Sequence, residues 1–520
     1  MATTTPECVD EEINKQGLVS LSDFRAQKNS FLPVSRLPPE NLADVFIRVR
    51  DYQESYGNPS YRVPHWVNAS YVCRYWRNVA MDCPTLWAHL FTVSLRWTEE
   101  LLARSKQASL KIRIKYAYDR TSSWWSRLLE MVLMHAERIQ ELRLAIPDMT
   151  LLPTGFSLYA PRLQILELFS SSHSEPTFTI MNGDTLPLRI LRLASVELPW
   201  YSFNLSRVTT LFLSLALPSQ LNMMEFLTTL SRMQALTILH LEYSLPSDCG
   251  LLSDGAFNIS SKVSLPCLAC LLVQATFSEV VTLLSCINIP LETRLWIGIM
   301  AEDGAYLDDY VQILPVLAQR FNHSEDLSSS SATIRSLAFC FDQLFSTLAI
   351  NTSERDDYDP KTSEVYLPDD CNIPLTIRLT LIEQPVVIED HIMSNICCRI
   401  PSTHIQSLHI VNPSSSLDFW KKALDHLDGL RRLKLSDGLM PKCLASLLAL
   451  TAEGRAEDQH DPRVRHTFVP ALEELELHLM TFRSKSRPSG KIISEKALLG
   501  ALSTRKVLRL TMTQCNPRLT

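Results

Sequence analysis

The sequence predicts an α/β chain: a small three-helix module at the N-terminus, then an irregular solenoid of repeated strand and helix. Three observations predict it. A proline-led apolar segment and a tryptophan-bearing one lie close together between Leu37 and Leu90. One six-residue strand pattern recurs ten times beyond residue 138. A chain of 520 residues, 46% hydrophobic and 20% charged, carries far more core material than the N-terminal module needs.

The elements follow in order. Residues 1–32 are polar without sustained period and read as a flexible arm. Leu37-Pro38-Pro39-Glu40 opens a helix, because a proline in the first turn loses no hydrogen bond and Glu40 suits the positive end of the dipole. Leu42, Val45, Phe46 and Val49 then recur at i, i+3, i+4, i+7 and predict one apolar face. "DYQESYGNPSYRVP" (51–64) reads as a loop. A second helix is predicted over Val67–Ala80, with Val72, Tyr75, Trp76 and Val79 on one face. Pro84 opens a short third, carrying Leu86, Trp87 and Leu90. Three short helices over 33–90 bury too little to be stable without a neighbour. Residues 91–135 read as helix, strand and helix, the strand alternating Leu110, Ile112, Ile114 and Tyr116.

Over 136–520 the repeated pattern is apolar, two variable residues, Leu, one variable residue, apolar. It appears as IQELRL (139–144), LQILEL (163–168), LRILRL (188–193), VTTLFL (208–213), LTILHL (236–241) and LACLLV (268–273). IRSLAF (334–339), IQSLHI (405–410), LRRLKL (430–435) and LEELEL (472–477) follow. The central leucines of the first six, at 142, 166, 191, 211, 239 and 271, step by 24, 25, 20, 28 and 32 residues. The pattern resembles leucine-rich repeats, which run at roughly 20–29 residues. It departs from them in lacking the Asn or Cys three positions after the last strand residue, where Pro147, Ser171, Val196, Ala216, Ser244 and Thr276 stand. No Asn ladder is therefore expected to satisfy the turns. Phasing fails over 274–333 and 340–404, and loop insertions are predicted near 300–332, 352–372 and 451–467.

Side chains alternate along a strand. The residue between the last two apolar positions therefore faces outward, and in a horseshoe that face is concave. This gives a candidate target-binding row: Arg143, Glu167, Arg192, Phe212, His240 and Lys434, with Leu272, Ala338, His409 and Glu476. The mixed signs suit a protein or peptide partner rather than a nucleic acid, as does a net charge of −6.

The N-terminal segment, "LPPENLADVF…VCRYWRNVAMDCPTLWAHL", resembles an F-box, of the type abundant in mushroom-forming fungi. The leucine–proline start, the variable loop, the V-C-R-x-W-R helix and the P-x-L-W turn stand in the family's order. The resemblance implies a three-helix adaptor that binds the Skp-type linker of a cullin–RING ubiquitin ligase, with the repeats holding an unknown protein target. It places Leu37, Pro38, Leu42, Phe46, Val72 and Trp76 at or near the linker interface. It implies no catalytic residue, cofactor or metal in this chain. A scaffold working outside any ligase, and an enzyme seated in the unphased 274–404 region, are the rivals.

Little else in the sequence carries chemistry. The thirteen glycines form no phosphate-cradling motif. His135-x-Glu137 and Pro266-Cys267-x-x-Cys270 together spell a zinc-deaminase signature, but about 130 residues separate the halves and Cys270 lies in phase with a repeat strand. The thirteen cysteines show no regular spacing and suit a reducing compartment. The first residues lack a signal peptide's charged and apolar parts, and Gln274 and Glu279 interrupt the most apolar stretch. A cytoplasmic or nuclear protein without membrane contact is expected.

Overall fold

The computed structural model describes residues 29, 32–56, 64–91, 94–114, 121–151, 157–174, 179–181, 187–216, 221–246, 262–290, 293–300, 335–341, 345–351, 376–382, 404–412, 420, 424, 427, 429–439, 471–482, 509–513 and 516–517. The N-terminal arm, apart from Asn29 and Leu32, and almost all of the three predicted insertions lie outside them. The chain divides into two units, ending and beginning at Val208 and Thr209.

In the first unit a 3-10 turn at Pro33–Arg36 leads into α1 (Pro39–Tyr56). The helix runs past the predicted stop at Asp51. Arg50 explains this: it falls on the ridge of Leu42 and Phe46 and is buried with them. Its guanidinium donates to the carbonyls of Thr85 (2.6 Å) and Leu86 (3.2 Å) and pairs with Asp51 (2.7 Å). The predicted apolar face is thereby split. Leu42 and Phe46 point inward, whereas Val45 and Val49 belong to the neighbouring ridge and stay outside.

The predicted second helix is also divided. His65–Tyr71 is a 3-10 segment, Cys73 is extended (φ −158°), and only Arg74–Met81 is α-helical (α2). The third helix is a single 3-10 turn, Pro84–Trp87, and Leu90 ends a short strand, β1 (His89–Leu90). After it come α3 (Leu95–Arg104), β2 (Leu110–Ile114), α4 (Ser122–Leu133) and β3 (Ile139–Ile146). Leu110, Ile112 and Ile114 are buried in alternation; Tyr116 lies outside the described residues.

The remaining strands of this unit are β4 (Ser157–Tyr159), β5 (Ile165–Ser174), β6 (Thr179–Met181) and β7 (Ile190–Val196). β1, β2, β3, β5 and β7 form one parallel sheet in that order. Leu142, Leu166 and Leu191 lie side by side across it, as do Leu144, Leu168 and Leu193. The helical module is therefore not a separate bead. Its last residues are the first strand of the repeat sheet, and the boundary predicted after residue 90 is bridged by His89↔Lys111 and Leu90↔Ile112.

The second unit holds β8 (Thr210–Ser214), α5 (Met223–Ser231), β9 (Ile238–Glu242), β10 (Val263–Ser264), β11 (Cys270–Thr276), α6 (Phe277–Cys286), β12 (Ile287–Asn288) and β13 (Arg294–Met300). Then follow β14 (Ser336–Phe341), β15 (Phe345–Asn351), β16 (Thr376–Ile382), β17 (Ser407–Val411), β18 (Arg432–Leu439), β19 (Glu474–Phe482), β20 (Arg509–Thr513) and β21 (Asn516–Pro517). β8, β9, β11 and β13 are parallel neighbours, as are β14, β17, β18, β19 and β20. Between these runs the order reverses. β13 pairs with β16, β15 is antiparallel to both β16 and β14, and β14 is reached last. This excursion is why the pattern has no phase over 340–404.

All ten predicted repeats contain a strand, and the structure adds a feature the pattern lacks. Ser195, Leu215, Tyr243, Asn412, Asp437 and Leu479 are left-handed, with φ between 48° and 54°. Each stands four residues after its central leucine. The kink aims an N–H sideways: Leu215 donates to the Glu242 carbonyl (2.9 Å), Tyr243 to Gln274 (2.8 Å) and Asn412 to Ser436 (2.9 Å). This main-chain ladder answers the missing asparagines, helped by Ser244, which accepts from the Ala216 N–H (3.2 Å), and Ser171, which donates to the Pro147 carbonyl (2.9 Å). A β-branched residue tolerates a left-handed backbone poorly. Leu215→Val is expected to destabilise the second unit by about 1 kcal/mol, while Leu215→Gly leaves the urea midpoint unchanged or raised. Equal midpoints for valine and glycine would show that the kink carries no strain.

Candidate functional site

Two surfaces are candidates, one on the helices and one on the strands. In the helical module Trp87 is the centre. It is fully buried, its Nε1–H donates to the Ala80 carbonyl (2.6 Å), its ring meets Trp66 edge-on (centroids 5.2 Å), and Arg104 lies 4.5 Å over its face. Phe46 packs against Trp76 at 5.2 Å, and the Tyr75 hydroxyl donates to the Leu37 carbonyl (2.6 Å). These contacts hold the short helices on α1.

Of the residues assigned to the linker interface, Leu42 and Phe46 are 1% and 2% exposed and fill this interior instead. Trp76 is half-buried on Phe46, whereas Leu37, Pro38 and Val72 lie on the surface. Sequence reasoning missed the outer ridge of α1: Val45, Val49 and Tyr52 are 44%, 41% and 66% exposed. The signal was present. Residues 42, 46 and 50 share one ridge and 45, 49 and 52 another, and a small module buries only one.

The predicted strand-face residues lie in register. Arg113, Arg143, Glu167 and Arg192 stand side by side across β2, β3, β5 and β7. Glu167 is buried between Arg143 (3.1 Å) and Arg192 (3.5 Å). Two residues earlier on β3, buried Glu141 takes Lys111 (3.0 Å) and Arg113 (3.2 Å), with Arg143 at 3.6 Å. Burial pushes the Glu141 carboxyl up, but Lys111 and Arg113 outweigh it and hold the group below the usual carboxylate range. Lys111 and Arg113 were missed because β2, LKIRI, lacks the leading apolar residue of the pattern, and Glu141 because only the position between the last two apolar residues of each repeat was taken as outward-facing.

In the second unit much of the predicted row is closed. Phe212 meets His240 edge-on at 4.4 Å, and His240, Leu272, Ala338 and His409 are buried. His409 shares a hydrogen bond with Ser436 (2.9 Å). An open row along these strands, as the alternation predicted, is not what forms; both faces of β17 are buried. Lys434 and Glu476, neighbours in register, are half-exposed.

Among the described residues no three His, Cys, Asp or Glu side chains are grouped to hold a metal, and no helix is long and apolar enough to cross a membrane. Cys267 is exposed and Cys270 opens β11.

In the first unit a helical module is continuous with a sheet of parallel strands. Residues 34–93 match the family model described as F-box-like, which covers the module from its first 3-10 turn past β1. An F-box-like domain points to a ubiquitin-ligase adaptor or a protein-interaction role. No curated protein matches the chain.

Proposed function

We propose that the chain is a substrate-recognition adaptor of a Skp–cullin–F-box ubiquitin ligase, acting in the cytoplasm or nucleus. The observation that carries this reading is the F-box-like match over 34–93 on a module that leaves an apolar ridge outside. Val45 and Val49 stand one turn apart, where a partner helix reads them together. They join Leu37, Pro38 and Val72 as the linker surface, while Leu42, Phe46 and Trp76 shape it from within. The repeats, on this reading an irregular leucine-rich solenoid, hold the protein target. Catalysis belongs to the partner enzymes: tethering raises the local concentration of target lysines near the charged carrier. The shared β1–β2 pairing supports this mechanism, since it joins the docking helices to the strand beside the first repeat.

The test is co-expression with a Skp-type linker. Wild type is expected to co-purify and to recruit a cullin through it. Val45→Asp/Val49→Asp and Leu37→Ala/Pro38→Ala change exposed side chains, so the module stays folded; the first should cut affinity about hundredfold, as loss of a central contact does. A folded wild type that binds no linker overturns the ligase reading. Linker binding without cullin recruitment leaves a scaffold.

A further inference from the structure

We propose that the strand face of the first unit docks an acidic, extended segment of the target protein, an inference that rests on the adaptor reading of the repeats. The face carries four cations, Lys111, Arg113, Arg143 and Arg192, over two carboxylates, Glu141 and Glu167. Its net charge is therefore +2 in a chain of −6. The vertical arrangement matters more than the sum. The carboxylate side chains are 9% and 7% exposed, whereas the cations are 27–43% exposed. An approaching partner meets guanidinium and ammonium groups, with the glutamates beneath them as struts. Each strut holds its arginines in place before binding, so little rotamer freedom remains to be lost.

Two further observations select the occupant. Half-buried apolar side chains flank the charged row: Ile165 and Ile190 on the side of Lys111, Phe169 on the other. A strip of cations edged by apolar groups fits a peptide in which acidic and apolar side chains alternate. It fits a nucleic acid poorly, because every cation is already paired and the strip spans only four strands, about 15 Å, too short a track of phosphates. In the second unit the equivalent row is closed at His240, Leu272, Ala338 and His409, and its half-exposed Lys434 and Glu476 carry opposite charges, so the first unit's face has the larger cationic excess among these row residues.

The experiment uses the full chain and a labelled short peptide alternating glutamate and leucine, with binding followed by fluorescence anisotropy. Wild type should bind, and more weakly as salt rises. Arg143→Glu/Arg192→Glu should weaken binding about tenfold or more, and a matched reversal elsewhere, Arg207→Glu/Arg232→Glu, should not. Reversal strands Glu167, so a second variant guards against misfolding: Arg143→Gln/Glu167→Gln/Arg192→Gln removes the carboxylate together with its partners and should also lose affinity while melting normally. Three results would overturn the proposal: no peptide binding by folded wild type, equal loss in the two reversals, or tighter binding of a single-stranded oligonucleotide of equal charge. The assay contains no linker protein, so its failure is separable from failure of the ligase reading, which co-purification decides.

Discussion

Trp87→Ala is expected to unfold the N-terminal module and, on the proposed adaptor reading, to abolish linker binding with it. Removing a fully buried tryptophan costs about 3–5 kcal/mol. Here the loss extends beyond the cavity. The edge-on contact with Trp66, worth ~0.5–1.5 kcal/mol, disappears. The Ala80 carbonyl loses its side-chain donor, keeping only main-chain ones, and Arg104 loses the ring beneath it. The module has little stability to spare, because its helical pieces other than α1 are short and its turn Pro84–Trp87 is held to α1 by Arg50 alone among the described hydrogen bonds to that turn's carbonyls. Since β1 begins two residues after Trp87, disorder there also removes the edge pairing of β2. Urea denaturation followed by circular dichroism should show the first unit melting well before wild type. A variant with an unchanged midpoint would sink this account of the core. Val45→Asp/Val49→Asp supplies the contrast: binding lost, midpoint kept.

How much of this was legible follows from which forces act locally. The ten strands were legible because the alternation of Leu with variable residues is itself the physics of a half-buried strand. The tryptophan module was legible as a set of residues but not as helices. Pattern gives ridges, and the choice between Leu42/Phe46 and Val45/Val49 depends on what lies opposite, here Arg50 reaching the carbonyls of Thr85 and Leu86 more than thirty residues away. The break at Cys73 and the shortness of the Pro84–Trp87 turn are likewise set by packing. The antiparallel excursion of β14, β15 and β16 rests on strand order, which no six-residue template encodes. The left-handed residues defeat composition altogether: Leu215 and Tyr243 have no local preference for that backbone, and it lets the neighbouring strand accept their N–H. For the candidate site, register was legible and exposure was not. The alternation placed Arg143, Glu167 and Arg192 on one face, yet gave the same prediction for His240 and His409, which are buried.

Glu141→Gln is expected to destabilise the first unit by about 2–3 kcal/mol at neutral pH, less than the ~3–5 typical of breaking a fully buried ion pair. The discount has a structural cause: Lys111 and Arg113 keep 35% and 43% exposed side chains, so water screens the charge they are left with. The same carboxylate sets a pH dependence whose sign is fixed by its shift. Burial alone raises the Glu141 pKa, but the hydrogen bonds and charges of Lys111 and Arg113 bring it below the unfolded value. A folded pKa lower than the unfolded one means that the unfolded chain binds the proton first. The stabilisation is then complete above the ordinary glutamate value, about 4.3, and is lost as pH falls through the lower folded value. Urea midpoints of wild type measured from neutral pH downward should therefore hold steady and then fall steeply below that range. In Glu141→Gln the plateau starts lower and the acid limb is shallower by one group's titration. The double variant Glu141→Gln/Arg113→Gln should recover part of the neutral-pH loss, because the cation left without its carboxylate is gone as well. If wild type and Glu141→Gln instead share one acid limb, Glu141 is a bystander, and the cations of the strand face must be held in place by Glu167 alone.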